Sequence, residues 1–300
     1  MHSPKLSIGM PVYNGENFLT EAIESLLSQD YTDFQLFISD NASTDRTEEI
    51  CRGFAAKDPR IRYERNPVNL GAGPNFRRVF ELSESEYFKW AAHDDLHLPG
   101  FLRRCMETIE TAPASVVLVC PRIFLVDAKG EPLVEGTRWV VERLKTHAST
   151  PHKRLAEVLP KFKWSCAQFG VLRRSAVKQT RNLESYFSSD QVFLAELALL
   201  GEIWEIDEPL FARRYHADIS TNKHMTYEEY ALWMDTQAKG PQVNWRKRMS
   251  VEYTRSIMRL PMPPAERALC LSVVAWIWIK QKARRAIGLS KNESFFGGIL

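Results

Sequence analysis

Paired carboxylates directly after an apolar stretch are the residues of this chain best suited to chemistry. His93, Asp94 and Asp95 follow the mostly apolar residues 87–92. Adjacent carboxylates repel each other in a partly dry site, so they are favourable there only beside a cation. Hard oxygen ligands suit Mg²⁺ or Mn²⁺, which proteins often share with substrate phosphates. The cluster therefore predicts a divalent metal site, and the alternative is an acidic turn that caps a helix beginning at Pro99.

Two further polar clusters also follow apolar stretches. Residues 11–14 end the first stretch of the chain, and Asp40 directly follows residues 34–39. Asp40 can accept hydrogen bonds from a base or a ribose, or it can cap the next helix. Tyr13 and Asn14 offer an aromatic ring and an amide, although both residues also suit a simple turn.

The spacing of apolar residues predicts the elements that would position these clusters. Strands are expected at 5–12, 34–39, 60–64, 87–92 and 115–120, and helices at 17–29, 43–56, 75–82 and 99–111. Such alternation predicts a mostly parallel sheet covered by helices on both faces. Ligands of such sheets bind beyond the carboxyl ends of the strands, which is where the polar clusters fall. After residue 121 we expect a hairpin and a loop, then mixed structure, then helix from about 225 to 285.

The overall composition excludes several classes of protein. The 300 residues are 44% hydrophobic and 26% charged, as in ordinary globular proteins. A formal net charge of +3 offers no strong field for nucleic acid, so no nucleic-acid partner is expected. The five cysteines are scattered without metal-ligand spacing, which favours reduced thiols in a cytoplasmic protein. Neither a signal peptide nor a membrane-spanning stretch of about 18 apolar residues is predicted.

Taken together, the segments resemble the family 2 glycosyltransferases, which are inverting enzymes of the GT-A fold. The resemblance rests on residues 11–19, 29–47, 62–66, 69–76 and 88–95. It is dense over residues 5–120 and loose over 160–220. Each motif is weak alone, but their order and spacing are specific. The resemblance implies an α/β GT-A fold, with a mostly parallel, Rossmann-like central sheet flanked by helices and a helical C-terminal extension.

The resemblance also implies a division of the chain and a set of site residues. Residues 1–120 would form the nucleotide-sugar-binding half of one GT-A domain, 121–222 its acceptor-binding half, and 223–300 the helical extension. The implied donor-binding residues are Pro11, Tyr13, Asn14, Asp40, Asn69, Asn75 and Asp94. Within this set, Asp94 would contact the ribose or sugar, and Asp95 would hold the metal on the diphosphate. His93 stands where the family often has another Asp, which puts a metal role of that position in doubt.

The second half of the chain should supply the group that deprotonates the acceptor. Ser189 and Asp190 precede the apolar helix expected at 192–200 and resemble the family's Glu-Asp motif, with Ser189 in place of Glu. Asp190 would be the general base, and the alternative is that it only caps the helix. His216 would be a second metal or diphosphate ligand. Of the adjacent Arg213 and Arg214, only one can face the phosphates, because neighbours on a strand point to opposite faces.

The implied function is a metal-dependent, inverting hexosyl or deoxyhexosyl transfer in cell-surface polysaccharide or glycolipid assembly. The donor would be a UDP or dTDP sugar, the cofactor Mn²⁺ or Mg²⁺, and the acceptor a glycan or a lipid-linked sugar. A nucleotide-sugar-binding module without catalysis stays open, because His93 and Ser189 depart from the family pattern. A sugar nucleotidyltransferase is the other alternative, although the basic, glycine-rich loop it needs is missing. A dinucleotide-dependent oxidoreductase is disfavoured, because no GxGxxG follows the first strand.

The C-terminal part of the chain combines apolar and basic residues. Residues 268–279 are largely apolar, include two Trp, and precede four basic residues within 280–285. Twelve residues are too few to span a bilayer. The segment suits a helix lying in an anionic membrane surface, and equally a helix packed on the domain or on a second subunit. We therefore expect residues 263–285 to contact either a membrane surface or a second copy of this cytoplasmic protein. In the first case the protein would be peripheral on the inner face of the membrane.

Overall fold

The computed structural model describes residues 3–133, 144–162, 166–217, 226–238 and 245–286. These residues build one sheet with helices packed against it. The strands β1 to β8 are Leu6–Val12, Phe34–Asp40, Ile61–Arg65, Tyr87–Trp90, Leu96–His97, Val116–Val126, Val171–Arg173 and Glu202–Arg214. The helices α1 to α10 are Leu19–Leu27, Thr47–Ala55, Ala72–Glu81, Phe101–Thr111, Pro151–Val158, Arg174–Val177, Ser189–Leu200, Tyr227–Met234, Trp245–Arg259 and Pro264–Ala286. Short 3₁₀ helices are Leu159–Lys161 and Cys166–Phe169.

The strand order of the sheet is β3-β2-β1-β4-β7-β6-β8-β5. Strand β1 is parallel to β2 on one side and to β4 on the other, and β3 is parallel to β2. Strand β7 is antiparallel to β4 and β6, β8 is parallel to β6, and β5 is antiparallel to β8. The predicted fold class is confirmed, and the sheet is mixed. The carboxyl end of β1 lies at a topological switch point, where open α/β sheets bind ligands.

Alternation along β1 divides the interior into two layers. Leu6, Ile8 and Met10 are fully buried in a core shared with α1 and α4. Gly9 points the other way, toward the core formed by α3 and α7. This period of two is what a strand covered on both faces requires. The buried sheet gives the polar strand ends a rigid base.

Several elements begin or end away from their predicted positions, and β6 and α2 differ most at one end. Strand β6 continues to Val126, because β8 pairs with it past Pro121, where the register shifts and accommodates a residue without an N–H. Helix α2 begins at Thr47, whereas the sequence predicts a start at residue 43. The Ser43 hydroxyl instead accepts a hydrogen bond from Asn14 N at 2.9 Å. Both differences come from partners distant in sequence.

In its described residues the C-terminal region contains three helices, where the sequence predicts helix from about 225 to 285. Prolines at 261, 263 and 264 separate α9 from α10, because proline disfavours helix in the residue before it. Helix α9 packs on α7, and α10 packs on α5 and α9. Within the described ranges, no helix is both long and apolar enough to cross a membrane.

A buried ionic network joins α7 to α9. Arg181 Nε donates to Glu196 Oε1 on α7 at 2.9 Å, and its Nη1 lies 2.5 Å from Glu252 Oε2 on α9. Ser256 Oγ donates to the same Glu196 oxygen at 2.8 Å. Removing one partner of such a buried set costs about 3–5 kcal/mol, because the remaining charge is left without a partner. The extension is thus fastened to the helix that begins with Ser189 and Asp190.

The close approach at Gly9 provides a test of this packing. A Cβ added at Gly9 would lie 2.7 Å from Val79 Cγ2 and 2.9 Å from Phe88 Cζ. We expect G9A to lower the free energy of unfolding by about 1–3 kcal/mol, because the core must shift to accept the methyl group. Equilibrium urea unfolding measures the change.

The matched control is Gly53 in α2, where an added Cβ meets nothing within 4 Å. G53A should raise the free energy of unfolding by up to about 1 kcal/mol, because alanine favours helix over glycine. A G9A protein as stable as wild type would contradict the described packing of β1 against α3.

Candidate active site

The loops that follow β1 and β2 are fastened to each other. Asn14 N donates to Ser43 Oγ at 2.9 Å, and Gly15 N donates to Thr47 Oγ1 at 2.9 Å. Asn14 Oδ1 accepts from Thr44 N at 2.8 Å, while Asn14 itself has a φ of 50°. Asparagine tolerates this left-handed backbone better than most residues. The two strand ends therefore present one preformed surface.

Asp40 lies at the end of β2, fully buried and surrounded by donors. Its Oδ1 accepts from Ser43 N at 2.8 Å. Its Oδ2 accepts from Tyr63 Oη and from Arg65 Nη1, both at 2.8 Å. A carboxylate oxygen offers two lone pairs, so Oδ1 retains capacity for one further donor. These three donors hold Asp40 in a fixed orientation.

A cluster of asparagine side chains fixes the turn that leads into α3. Asn41 Nδ2 donates to Asn69 Oδ1 at 2.8 Å, and Asn66 Nδ2 donates to Asn75 Oδ1 at 3.1 Å. The buried Asn75 also donates to Ser39 O at 2.9 Å and accepts from Ser39 Oγ at 2.7 Å. Asn75 therefore holds strand ends together, and a direct contact with a donor would require it to exchange one of these partners.

The acidic pair is positioned by Arg214, the last residue of β8. Arg214 N donates to Asp95 Oδ1 at 2.9 Å, and Arg214 Nε donates to Asp94 O at 2.9 Å. The same buried guanidinium donates to Ala128 O at 2.8 Å and to Glu21 Oε2 at 2.6 Å. One side chain thus ties the acidic pair to α1 and to the turn after β6.

His216 completes a three-residue cluster with the acidic pair. Its Nε2 lies 3.1 Å from Asp94 Oδ2, and its ring centroid lies 4.5 Å from that of Phe18. Although burial opposes ionisation, His93 and His216 hold the pKa of Asp94 below its usual range. Burial and the neighbouring Asp94 raise the pKa of Asp95 to about 7.

The charge of Arg213, which precedes Arg214 on β8, acts on the acidic pair. Its guanidinium favours the ionised forms of both Asp94 and Asp95, and its Nη1 lies 3.1 Å from Cys166 Sγ. Arg214 is occupied by its structural contacts. That one of the two arginines faces the phosphates stays a prediction.

The donor atoms of the cluster fit a divalent cation shared with a ligand. Carboxylate oxygen and imidazole nitrogen both suit Mn²⁺. In the described part of the chain, Asp95 has a hydrogen-bond donor on Oδ1 and none on Oδ2. Among the described residues, no three His, Cys, Asp or Glu side chains already form a metal-ligand group. Phosphate and water oxygens would therefore have to complete the coordination shell.

A fully buried lysine lies within electrostatic reach of Asp95. Lys89 Nζ donates to Trp90 O at 2.9 Å and forms a 2.8 Å hydrogen bond with His97 Nε2. The ammonium also lies 4.7 Å from the ring centroid of Phe101. Burial lowers the pKa of Lys89 to about 7. Lys89 was not identified from the sequence, because its place within an apolar strand gives no sign of its partners.

Asp190 lies in the first turn of α7, on a different element from the acidic pair. Burial and the nearby Asp190 carboxylate raise the pKa of Tyr230 on α8 and of Tyr253 on α9. Helix α7 has no side-chain N-cap, and the preceding Ser188 has a φ of 62°. Asp190 Oδ1 accepts from Gln191 N at 2.8 Å. Aromatic residues from two C-terminal helices therefore lie near this helix start.

Helix α8 connects this region to the turn before α3. A Cβ at Gly71 would lie 2.6 Å from Asp235 Cα, so the chain after α8 runs directly over that glycine. Thr236 Oγ1 donates to Asn69 O at 2.9 Å. The other side of α8 carries Tyr230, whose ring centroid lies 5.0 Å from that of Phe187. One helix therefore contacts both the turn at Asn69 and the segment that leads to Asp190.

The structure thus places the predicted residues in two groups, and Asp190 lies apart from both in the first turn of α7. Asp94, Asp95 and His216 lie together, while Asp40, Asn69 and Asn75 belong to the polar network at the ends of β1 and β2. Pro11 is buried, whereas Tyr13 is 42% exposed beside that network. Sequence reasoning missed Asn66, Arg65 and Tyr63, although all three lie within the motif 62–66.

Comparison with known proteins identifies the fold and the family. The mixed sheet with its flanking helices is a GT-A fold. The family model of Glycosyl transferase family 2 matches residues 7–180, more than half of the chain. The chain belongs to this family, as its motifs predict.

Curated relatives match only part of their own length. An uncharacterized glycosyltransferase of Rickettsia typhi is 32% identical over 132 residues, which are 44% of this chain and 40% of the relative. One from Methanocaldococcus jannaschii is 30% identical over 137 residues, 45% of this chain and 47% of the relative. The match therefore spans less than half of either relative.

Two solved structures show the same fold. TarS 1–349 of S. aureus, in complex with UDP-GlcNAc, has a TM-score of 0.66 at 16% identity, covering 96% of this chain and 77% of that chain. The mannosyltransferase PcManGT of Pyrobaculum calidifontis, in complex with GDP-Man and Mn²⁺, has a TM-score of 0.53 at 13% identity. That match covers 94% of this chain and 76% of the other. At these identities the likeness concerns the fold alone.

Because Lys89 is buried with a lowered pKa, we expect the free energy of unfolding to depend on pH. Its pKa is about 7 in the folded protein, against 10.5 for an unperturbed lysine, so the unfolded chain binds more protons between these values. Stability therefore rises with pH across this window and falls as the pH decreases toward 7. We expect K89M to lose this rise, so that its stability relative to wild type falls by roughly 2 kcal/mol between about pH 7.5 and about pH 9.5.

Urea unfolding of both proteins at the two pH values measures the difference. K57M is the control, because Lys57 is exposed on the surface, and it should follow the wild-type pH dependence. Parallel curves for wild type and K89M would show that the lysine is not buried as described.

Proposed function

We propose that this protein transfers a sugar from a nucleoside-diphosphate donor to an acceptor hydroxyl, with inversion at the anomeric carbon. The observation that carries this proposal is the cluster of Asp94, Asp95 and His216 at the ligand-binding edge of a family 2 GT-A sheet. Residues 1–120 would bind the donor, 121–222 would bind the acceptor, and 223–300 would form the helical extension.

Donor binding would use the preformed surface at the ends of β1 and β2. Tyr13 is exposed beside this surface and can stack on a base. Pro11 would pack behind the base, and Asp40 Oδ1 retains a lone pair for a base or ribose donor. Asn14 and Asn69 would contact the donor from the two flanking loops. Asn75, which is already hydrogen-bonded to the strands, would act mainly by holding them in place.

Asp94, Asp95 and His216 would act on the sugar-diphosphate end of the donor. Asp94 would accept hydrogen bonds from the ribose or the sugar. Asp95 and His216 would hold Mn²⁺ or Mg²⁺, which supplies positive charge that stabilises the departing diphosphate. Arg213 adds a second positive charge whose effect reaches both carboxylates. The structural neighbours that bind UDP-GlcNAc or GDP-Man with Mn²⁺ support this type of donor and cation.

Asp190 would be the general base. Its carboxylate would accept the proton of the acceptor hydroxyl while the oxygen attacks the anomeric carbon. The diphosphate would leave from the opposite face, so a single displacement inverts the configuration, and no residue of the chain need form a covalent intermediate. The aromatic side chains near Asp190, including Tyr230 and Phe187, are suited to pack against an acceptor sugar.

The biological setting that fits this chemistry is the assembly of a cell-surface polysaccharide or glycolipid. The donor would be a UDP or dTDP sugar, the acceptor a glycan or a lipid-linked sugar, and the reaction hexosyl or deoxyhexosyl transfer. We place the protein in the cytoplasm, where nucleotide sugars are available as substrates, peripheral to the inner face of the membrane. This assignment rests on the family and on the reaction proposed above.

The division of roles between two aspartates can be tested directly. D95A should weaken donor binding in Mn²⁺ at least about tenfold, because a metal ligand is lost. D190N should bind the donor as wild type does but lower turnover about 10²–10⁴-fold, because only proton removal is affected. A thermal-shift panel of nucleoside-diphosphate sugars with Mn²⁺ selects the donor. Isothermal titration then measures affinity, and release of nucleoside diphosphate measures turnover.

The matched control is D207N, which alters an exposed carboxylate paired with Arg122 at 2.9 Å. It should leave both affinity and turnover unchanged. Equal loss of donor affinity in D95A and D190N would reject the division of roles. A wild-type protein that binds donors tightly but neither transfers nor hydrolyses them would instead indicate a nucleotide-sugar-binding module.

A further inference from the structure

Helix α10 exposes an apolar face that nothing in the described chain covers. Trp276 is 58% exposed, Ile279 61%, and Leu269 46%. Their spacing of three and seven residues places them on one side of the helix. The opposite side carries the buried Cys270 and Val274, which pack with α5, α7 and α9. Helix α10 is therefore anchored along one side and presents large apolar groups to solvent on the other.

Basic side chains surround this exposed apolar face. Lys280 Nζ lies 4.8 Å from the ring centroid of Trp276, and Lys282 Nζ lies 5.6 Å from that of Trp278, which is also exposed. Arg284 and Arg285 follow in the sequence. Tryptophan with neighbouring lysine is the combination that suits the boundary between lipid and water, where the ring is half buried and the ammonium reaches the headgroups.

The charge of the two C-terminal helices differs from that of the rest of the chain. Residues 245–286 contain ten Lys or Arg and two Glu, a formal charge of +8. The whole chain carries +3, so the remaining residues together carry −5. Positive charge is thus concentrated in this one region.

Both glutamates of the region face inward. Glu252 is buried in the network with Arg181, and Glu266 Oε1 lies 2.7 Å from His152 Nδ1 with its side chain only 15% exposed. In the described part of 245–286, the exposed charged side chains are all basic. They are Lys247, Arg255, Arg259, Lys280 and Lys282. The outer surface of this region therefore has a single sign of charge.

We propose that α9 and α10 dock this protein on an anionic lipid surface. Trp276 and Ile279 would enter the interface with Trp278 at its edge, and the surrounding lysines and arginines would contact acidic headgroups. An apolar helix face combined with basic residues binds such surfaces through buried area and electrostatic attraction. This inference does not depend on the reaction proposed above.

A second copy of the chain fits this surface less well. In a two-fold dimer the same patch meets itself, so the cationic residues of one copy would approach those of the other. Like charges across an interface disfavour association. An anionic bilayer, by contrast, accepts the apolar groups and balances the charge.

Vesicle co-sedimentation of the full chain tests the proposal. Wild type should pellet with vesicles of mixed phosphatidylcholine and phosphatidylglycerol, and much less with phosphatidylcholine alone. K280E/K282E and W276A/W278A should each bind the anionic vesicles at least about tenfold more weakly, the first through lost attraction and the second through lost burial. Added salt should weaken wild-type binding, because it screens the charges.

The matched control is K57E/K178E, which makes the same change in net charge at two exposed lysines outside residues 245–286. Wild-type binding by this control would assign the effect to the α10 lysines, and an equal loss would overturn the proposal. Each variant must unfold at the wild-type temperature, which these exposed positions permit. Equal pelleting with neutral and anionic vesicles would also overturn the proposal. So would a dimer in lipid-free light scattering that W276A/W278A converts to monomer, which would identify a second copy as the occupant.

Discussion

The geometry of the acidic pair depends on one buried guanidinium, that of Arg214. The backbone N–H of Arg214 donates to Asp95, and Nε of its guanidinium donates to the backbone carbonyl of Asp94. The remaining guanidinium donors reach Ala128 and Glu21. The charge is compensated by Glu21 and by the Phe18 ring, which lies 4.7 Å from the guanidinium carbon. A fully buried arginine is favourable only when its donors are paired, so the three segments that contact it must be in place together. The loop after β4 is therefore positioned by the far half of the chain.

Much of the donor-side arrangement could be predicted from the sequence. Strands β1, β2 and β3 are runs of five to seven residues that end in polar clusters. Their order determines which residues meet at the sheet edge, and it can be predicted without knowledge of the packing. The strand ends at Val12 and Asp40 pair directly with each other. The motif at 62–66 also contains the residues that orient Asp40. Their roles were missed because a hydrogen bond between strands is invisible in a linear pattern.

Other features depend on contacts that one sequence does not reveal. Pro121 looks like the end of a strand until β8 pairs beside it and a register shift accommodates it. Arg213 and Arg214 are equivalent by type, and only Glu21 and Ala128, both distant in sequence, distinguish them. The start of α7 similarly acquires its aromatic surroundings from residues 40 or more positions later. In each case a tertiary partner overrides the local signal.

The network around Arg181 has a consequence for how the protein responds to its surroundings. Glu196 on α7 is buried together with Arg181 and is held by Ser256 and Arg259 of α9. Pulling α9 away would leave that carboxylate in a dry environment with fewer donors, which is costly. A force that moves α9 would therefore also act on α7, whose first turn contains Asp190. The C-terminal helix α9 and the helix that begins with Ser189 and Asp190 are thus mechanically coupled.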